Sequence, residues 1–225
     1  MKKIISILGC GWVGQVLAGK LKIECMVHCL SRDIEANEKE KFYACDVLVI
    51  AIPPRENYLE VLTQTIEKIE TSTQVIFLSS TSFYAGKELV VQGEELMREL
   101  HSDVLILRLS GLMGYNRIAG KYTAGKTKSH DALVNYVHRD DVVKIIELCI
   151  DREVKAETFD VTAPKHPKLS IVYAQNAKRF GWEDTYFESD EVLGRVISSE
   201  KLVKYLDYEF LKPDPLGFWI EEKKQ

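Results

Sequence analysis

The segment LGCGWVG contains three glycines within six residues, and it directly follows a short apolar run near the start of the chain. That run, KIISIL at residues 3–8, has the apolar and β-branched composition of a buried strand. Apolar residues then recur at helical spacing over residues 13–21. Because glycine weakens both strands and helices, its concentration here predicts a tight strand-to-helix turn.

Each glycine has its own task if this turn binds a dinucleotide. Gly9 permits the tight turn, Gly11 lets the backbone approach a pyrophosphate, and Gly14 lets helix and strand pack closely. The helix that follows presents unpaired N–H groups and a partial positive charge to the phosphates. Trp12 and Val13 complete the predicted cofactor turn, with Trp12 shielding the pyrophosphate or simply packing. The alternatives are a turn without a ligand and the glycine-rich turns of flavin-binding proteins and methyltransferases.

The end of the second predicted strand, at residues 25–30, bears on which nucleotide binds. An acidic residue there usually holds the ribose hydroxyl of NAD, whereas an arginine accommodates the 2′-phosphate of NADP. The chain has Ser31 and Arg32 at this point, followed by Asp33. A guanidinium meets a phosphate with two parallel hydrogen bonds and Ser31 can add a third, so NADP is favoured over NAD. The alternative is that Arg32 is a solvated loop charge and that Asp33 takes the ribose.

Apolar strands alternate with helical periodicity over much of the chain. Further strands are predicted at residues 46–52, 74–80 and 103–110, and Asn57 with Glu60 predicts a capping box at the start of an intervening helix. This alternation predicts an α/β fold, in which a doubly wound parallel sheet of the Rossmann-like type carries a small C-terminal lobe.

The alternation loosens after Ser110 into a polar, glycine-bearing stretch and then resumes with a strand and a helix, for which Asp140 or Asp141 is the predicted N-cap. We therefore expect a single NAD(P)-binding domain. Its predicted parts are a Rossmann core of residues 1–110 and 131–150, and a substrate-side loop and small lobe of residues 111–130 and 151–225, within a domain of residues 1–225.

Composition bounds the possible partners. The net charge of −4 comes from 34 acidic and 30 basic residues that are interspersed, so no basic face suits nucleic acid. No run of about 18 apolar residues occurs, which argues against a membrane. The N-terminal apolar run meets the glycine turn before it reaches the length of a signal peptide, so a cytoplasmic protein with a small-molecule partner is expected.

The cysteines indicate neither a metal site nor a framework of bridges. They are odd in number and contain no CxxC pair. Free buried thiols are therefore the prediction for all of them, and no metal ligands are expected. The cysteines are Cys10, Cys25, Cys29, Cys45 and Cys149.

An ordered set of segments carries a family resemblance over nearly the whole chain. The segments are LGCGWVG, DVLVIAIPP, VIFLSSTSFYAG, LILRLSGLMG, NYVHRDDVV and ISSEKLVKYLDYEFLKPDP. With them the chain resembles the extended and atypical short-chain dehydrogenase/reductases, the NAD(P)-dependent epimerase/dehydratase-like family. The resemblance implies hydride transfer on sugar nucleotides or other carbonyl and alcohol substrates, and it implies cofactor contacts for Ala51, Ile52 and Pro53 beneath the nucleotide.

The catalytic groups of that family match this chain only in part. Ser80 falls on the position of the serine that hydrogen-bonds the substrate oxygen, although a strand-end hydroxyl that caps the backbone is an equally good explanation. The family's Tyr–Lys pair is missing, because Gly86 and Val90 stand at those positions. Tyr84 stands where the family has a tyrosine followed by a glycine, and it is the remaining candidate for the catalytic base.

Three other segments invite interpretation. A literal YxxxK, Tyr122 to Lys126, lies in a loop rich in glycine and threonine and is predicted to have no catalytic role. The charged residues 34–43 predict a short surface helix in a reduced crossover. His138, Asp140 and Asp141 are predicted to have a structural role, because the family has a strand-to-helix junction at this segment.

Two functions remain open at this point. One is an NADP-dependent oxidoreductase or epimerase-like enzyme acting on a small hydroxyl- or carbonyl-bearing substrate, with Ser80 and Tyr84 as catalytic residues. The other is a binding protein that senses or responds to a dinucleotide after losing the chemistry, which the missing Tyr–Lys pair favours. Neither the substrate nor the oligomeric state can be inferred from the sequence.

Overall fold

The computed structural model describes residues 2–31, 36–189 and 191–220. The chain forms two compact units. Unit 1 comprises Met1–Leu109 and Val142–Phe159, and unit 2 comprises Ser110–Asp141 and Asp160–Gln225.

The helices and strands of the described residues are as follows. The strands are β1 (Ile4–Leu8), β2 (Met26–Leu30), β3 (Val47–Ile50), β4 (Gln74–Ser80), β5 (Leu105–Leu109), β6 (Gly111–Met113), β7 (Thr127–Lys128), β8 (Asp131–Ala132), β9 (Tyr136–His138), β10 (Thr158–Val161), β11 (Tyr186–Phe187) and β12 (Val192–Leu193). The helices are α1 (Gly14–Leu21), α2 (Ala36–Tyr43), α3 (Tyr58–Ile66), α4 (Glu88–Leu100), α5 (Arg139–Asp151), α6 (Leu169–Phe180) and α7 (Glu200–Leu206).

Six strands form the central sheet, in the order β10-β5-β4-β3-β1-β2. The pairings from β5 through to β2 are parallel, and residues 4–8 of β1 align with residues 26–30 of β2. The chain therefore winds outward from β1 in two directions, to β2 on one side and to β3 on the other. The gap between the ends of β1 and β3 is the topological switch point of this sheet.

Both faces of the sheet are covered, as the continuous apolar strands predicted. One face packs against α2, α3 and α4 in a core that includes Phe42, Leu62, Phe77 and Met97, each at most 1% exposed. Alternate residues of the same strands point to the opposite face, and Ile7 there lies beside α1. The doubly wound α/β prediction is confirmed.

Two local predictions for the helices of unit 1 need correction. The helix α3 begins after Asn57 as predicted, but no capping box forms, because Asn57 has the left-handed backbone φ of 60° and its side chain caps nothing. Glu60 instead accepts a hydrogen bond from Gln64 at 2.9 Å. The helix predicted at residues 34–43 corresponds to α2, and its Phe42 is fully buried, so its last turn belongs to the core.

The Asp141 carboxylate connects the start of a helix to residues 208–212 by hydrogen bonds within unit 2. The helix α5 begins at Arg139, so Asp140 and Asp141 lie in its first turn and the predicted N-cap is wrong. The fully buried carboxylate of Asp141 accepts hydrogen bonds from the Tyr208 hydroxyl and the Leu211 amide, both at 2.7 Å. Burial raises the pKa of Asp141, and these hydrogen bonds oppose that rise.

The same unit has its own apolar core and a buried histidine. The core contains Ala119, Val134, Ala163, Val172, Phe218 and Trp219. His138 is 3% exposed, packs edge-on against the Phe218 ring and accepts a hydrogen bond from the Asp140 amide. Burial lowers the pKa of His138, so the ring favours its neutral form. These contacts agree with a structural role for His138, Asp140 and Asp141.

Within the described segments, no helix combines the length and the apolar content that crossing a membrane requires.

We expect Asp141→Ala to lower the free energy of unfolding by about 3 kcal/mol. The variant removes the buried carboxylate that accepts hydrogen bonds from the Tyr208 hydroxyl and from the Leu211 and Lys212 amides. Urea unfolding followed by circular dichroism measures the loss. The matched control is Asp140→Ala, since the Asp140 side chain is 28% exposed, and we expect a loss of about 1 kcal/mol or less. Equal losses in the two variants would contradict this role.

Candidate functional site

Four loops of unit 1 meet at one edge of the sheet. The glycine-rich segment follows β1, Ser31 follows β2, Ala51 follows β3, and Ser80 is the last residue of β4. Because these strands are parallel neighbours, all four loops lie at the carboxyl ends of the strands, which is where open α/β sheets bind ligands. The candidate site is therefore built around the switch point between β1 and β3.

The glycine-rich turn is shaped by two close backbone approaches. Gly9 has a φ of 110°, and a Cβ on it would lie 2.6 Å from the Ala51 carbonyl oxygen. A Cβ on Gly14 would press into the carbonyl oxygen of Gly9 and would also lie 3.3 Å from Ile7. Both positions therefore require glycine for packing, whatever the site binds.

Gly11 differs from the other two glycines. Apart from Gly11 itself and its two chain neighbours, no heavy atom of the described residues lies within 4 Å of where its Cβ would stand, and the residue is exposed. Glycine is therefore not needed here for internal packing or for backbone conformation. The open space in front of Gly11 fits the close approach of a ligand such as a pyrophosphate.

The other predicted cofactor residues surround this turn. Val13 is 8% exposed and Trp12 is half-buried. Ala51 donates its amide to the Leu8 carbonyl at 2.7 Å, and Ile52 is buried while Pro53 is exposed. Ser31 is exposed at the end of β2. Arg32, with Asp33, lies outside the described residues, so the preference for NADP stays a prediction.

Sequence reasoning missed a covalent link at this turn. Cys10 and Cys29 form a disulfide, with their Cα atoms 5.4 Å apart, so the prediction of free thiols is wrong for these two residues. The parallel register of β1 and β2 brings them together, because Leu8 pairs with Leu30 and the turn folds back over that pair. Cys25, Cys45 and Cys149 are free, but only Cys149 is buried.

Ser80 ends β4 and caps the short 3₁₀ helix Thr81–Ala85. Its Oγ accepts hydrogen bonds from the Ser82 amide at 3.2 Å and from the Ser82 hydroxyl at 2.8 Å. A serine hydroxyl has two acceptor sites and one donor. With its acceptor sites engaged in this way, Ser80 has its own O–H to donate to an oxygen at the edge of the sheet.

Tyr84 lies on the same 3₁₀ helix, is 40% exposed and contacts a polar cluster centred on the buried Glu94. Its hydroxyl accepts a hydrogen bond from Arg108 at 3.1 Å. The Arg108 guanidinium lies over the Phe83 ring, 3.6 Å from its centroid, and binds both carboxylate oxygens of Glu94 at 2.7–2.8 Å. Ser79 donates to the same carboxylate at 2.7 Å.

Glu94 is the centre of this cluster. It is fully buried, and Arg98 binds it from the next turn of α4 at 2.9 Å. Burial would raise the pKa of Glu94, but the hydrogen bonds from Arg108 and Ser79 outweigh burial and lower it. Arg108 and Arg98 carry two positive charges against the one negative charge of Glu94, and Arg108 is the guanidinium that contacts the Tyr84 hydroxyl.

The positions that correspond to the family's Tyr–Lys pair hold no proton-transfer group. Gly86 ends the 3₁₀ helix with a φ of 66°, and Val90 is 6% exposed in α4. The literal motif from Tyr122 to Lys126 has no α-helix to support it, since Tyr122 lies in a three-residue 3₁₀ turn and is 79% exposed. Among the described residues, no group of three or more His, Cys, Asp and Glu side chains could hold a metal ion.

The chain is similar over nearly its whole length to a protein of Escherichia coli. No protein-family model matches the chain. Protein YeeZ of Escherichia coli (strain K12) is 29% identical over 280 residues, covering 98% of this chain and all of that protein. Protein YeeZ of Escherichia coli O157:H7 matches to the same extent.

Solved structures share the fold over nearly the whole chain. A putative NAD-dependent epimerase/dehydratase from Methylobacillus flagellatus has a TM-score of 0.76 at 22% identity, covering 96% of each chain. UDP-glucuronic acid 4-epimerase from Bacillus cereus, in complex with NAD, has a TM-score of 0.70 at 15% identity, covering 96% of this chain and 97% of that one. At these identities the likeness establishes the Rossmann-like fold.

We expect Glu94→Gln to lower the free energy of unfolding at neutral pH by about 3–5 kcal/mol, because Arg108 then loses its buried counter-charge. The fold holds the pKa of Glu94 below its ordinary value of 4.5. The stability that this carboxylate contributes is therefore present above pH 4.5 and is lost as the pH falls through the lower pKa of the folded state.

Urea unfolding between about pH 3 and pH 7 measures this loss, and the variant is expected to depend less steeply on pH at the acid end. Glu95→Gln is the matched control, because Glu95 is the exposed neighbour on the same helix. If the two variants had the same stability and the same pH profile, Glu94 would not be the centre of the cluster.

Proposed function

We propose that this chain binds a pyridine nucleotide at the glycine-rich turn and acts as an epimerase- or dehydratase-like oxidoreductase of the extended short-chain type. The observation that carries the proposal is the space in front of Gly11 at the switch point between β1 and β3. The ordered family segments and the fold shared with NAD-dependent epimerases support it. The proposed substrate class is a small molecule with a hydroxyl or carbonyl group.

The residues of the turn fit a dinucleotide. The pyrophosphate would lie against the backbone of residues 11–13, at the N-terminal end of α1, where aligned peptide dipoles favour negative charge. Ser31 and Arg32 would hold the ribose and a 2′-phosphate, and Ala51–Pro53 would lie beneath the nucleotide. NADPH is therefore the proposed cofactor in preference to NADH.

The chemistry would use the edge of the sheet at β4. Bound nicotinamide supplies hydride transfer, and this chain's residues position the substrate and move its proton. Ser80 would donate its O–H to the substrate oxygen, and Tyr84 would exchange the proton of that oxygen. The hydrogen bond from the Arg108 guanidinium would stabilise negative charge on the Tyr84 oxygen, which is the task of the lysine in the family's Tyr–Lys pair.

A second function is favoured by a specific observation. The positions of the Tyr–Lys pair hold Gly86, which lies before α4, and the buried Val90. A chain that keeps the nucleotide turn without this pair suits a protein that binds the dinucleotide and responds to it without turnover. The two functions share the nucleotide site and differ only in the role of Ser80 and Tyr84.

We expect NADPH to stabilise the protein in a thermal-shift titration, by about 2.7 kcal/mol at 100 times its dissociation constant. NADH should stabilise less, and FAD and S-adenosylmethionine should have no effect. Gly11→Ala is expected to weaken NADPH binding by about tenfold or more, because its Cβ enters the space that the pyrophosphate would occupy. The fold should survive, since that Cβ contacts nothing in the described structure.

Gly19→Ala is the matched control, because Gly19 is exposed near the other end of α1 and its Cβ is also free of contacts. Its affinity for NADPH should equal that of the wild type. Arg32→Ala should remove the preference for NADPH over NADH. An unchanged affinity in Gly11→Ala would contradict the proposed position of the pyrophosphate, and an unchanged preference in Arg32→Ala would contradict the phosphate role of Arg32.

Turnover distinguishes the two functions. With NADPH and a panel of small carbonyl substrates, Tyr84→Phe is expected to lower kcat/KM by about 10²–10⁴-fold, because it removes the proton donor and acceptor. Ser80→Ala is expected to cost about 10²-fold. Both variants should bind NADPH as the wild type does, and Tyr122→Phe should leave turnover unchanged.

Equal rates in the wild type and in both variants would exclude Ser80 and Tyr84 as catalytic residues. Tight NADPH binding without turnover on any substrate would contradict the enzyme and support the binding protein.

A further inference from the structure

Two cysteines join the glycine-rich turn to the strand beside it. Cys10 stands between Gly9 and Gly11, and Cys29 is the fourth residue of β2. Their Cα atoms are 5.4 Å apart, which lies within the usual range for a disulfide. The bridge therefore connects the turn that would hold the pyrophosphate to the strand that leads to Ser31.

The backbone already holds these two segments together. The amides of Gly9 and Cys10 both donate to the Leu30 carbonyl, at 2.8 and 3.1 Å. The register of β1 and β2 continues up to the pair formed by Leu8 and Leu30. The cysteines therefore meet in the folded arrangement of the turn.

The reduced state also has a partner for its thiol. The Cys29 Sγ lies 3.6 Å from the carbonyl oxygen of Gly14, the first residue of α1, and a thiol can donate a hydrogen bond at that distance. Cys10 and Cys29 are both partly exposed, so a small oxidant can reach them. The thiol form of Cys29 thus has a hydrogen-bond acceptor within reach on this backbone.

The other three cysteines form no disulfide, and Cys25 and Cys45 are partly exposed. Burial raises the pKa of Cys45 to about 11 and that of Cys149 to about 12, and burial and the Glu24 charge also raise the pKa of Cys25. Since the thiolate is the form that attacks a disulfide, these residues react poorly near neutral pH. Reversible bridge formation is therefore expected at Cys10 and Cys29, the two cysteines that the structure brings together.

We infer that Cys10 and Cys29 are a reversible thiol–disulfide pair and that their oxidation tightens binding of the pyridine nucleotide by fixing the glycine-rich turn. This inference rests on the proposed function. The oxidant is a small-molecule disulfide such as oxidised glutathione. One protein thiolate attacks it and releases a glutathione thiol, and the second cysteine then displaces the other, so two protein thiols and one oxidised glutathione give one bridge and two reduced glutathiones.

The effect on affinity follows from the glycines. With the bridge open, only the backbone hydrogen bonds of Gly9 and Cys10 hold the turn against β2. The glycines on either side of Cys10 then leave the turn more freedom to give up on binding. A bridge between Cys10 and Cys29 removes much of that freedom before the ligand arrives. Fixing a binding loop in advance lowers the cost of binding, and we expect the oxidised protein to bind NADPH about threefold to tenfold more tightly.

The test uses the whole chain equilibrated in glutathione buffers of defined potential. Alkylation followed by mass spectrometry of peptides reports the fraction bridged at Cys10–Cys29, and isothermal titration calorimetry gives the dissociation constant of NADPH for each state. Binding and oxidation must favour each other equally. Saturating NADPH should therefore make the midpoint potential of the pair more negative by about 14–30 mV, which is the same threefold to tenfold change for a two-electron couple.

Control variants separate the outcomes. Cys10→Ser with Cys29→Ser should have one dissociation constant in all buffers, whereas Cys25→Ser should respond as the wild type does. Absence of a Cys10–Cys29 bridge in oxidising buffer, or equal NADPH affinity in the two states, would overturn this inference and leave the nucleotide site intact. Absence of binding of NADPH and NADH in both states would overturn the proposed function and the coupling together.

Discussion

The backbone contact between Gly9, Gly14 and Ala51 is the constraint on which the candidate site depends. At this point β1 ends, α1 begins and the end of β3 passes by, with no room for a side-chain carbon on Gly9 or Gly14. Because the three segments touch, the N-terminal end of α1 lies at the carboxyl edge of the sheet beside the switch point. Gly11 is then free to face outward, and this combination makes the turn suitable for a phosphate group.

The cluster around the buried Glu94 links the packing of unit 1 to the chemistry proposed for Tyr84. A carboxylate held by two guanidiniums is costly to bury, and it is retained only with full hydrogen bonding. Here the cluster fixes Arg108 against Phe83 and directs one N–H to the Tyr84 hydroxyl. The same contacts explain the packing of α4 against β4 and β5 and supply a positive charge beside a tyrosine, so structure and proposed chemistry share one set of residues.

Periodicity and glycine spacing predicted most of the fold but little of the polar architecture. The strand–turn–helix unit at residues 3–21 and the strand β4 follow from local patterns, which is why they were found. The Cys10–Cys29 link depends on strand register, a long-range property that no local pattern reveals. An arginine inside the apolar strand LILRL requires a buried partner, so Arg108 indicates that a polar cluster exists. The sequence does not identify that partner, because Glu94 is 14 residues away on a helix.

A crystal structure with NADPH tests the central claim most directly. The account predicts electron density for a pyrophosphate against the backbone of residues 11–13, with hydrogen bonds of about 2.7–3.2 Å from main-chain amides. The adenosine end should lie over the end of β2 and the nicotinamide end toward Ser80. Density for the nucleotide at another place, or an empty turn in crystals grown at a saturating NADPH concentration, would contradict it.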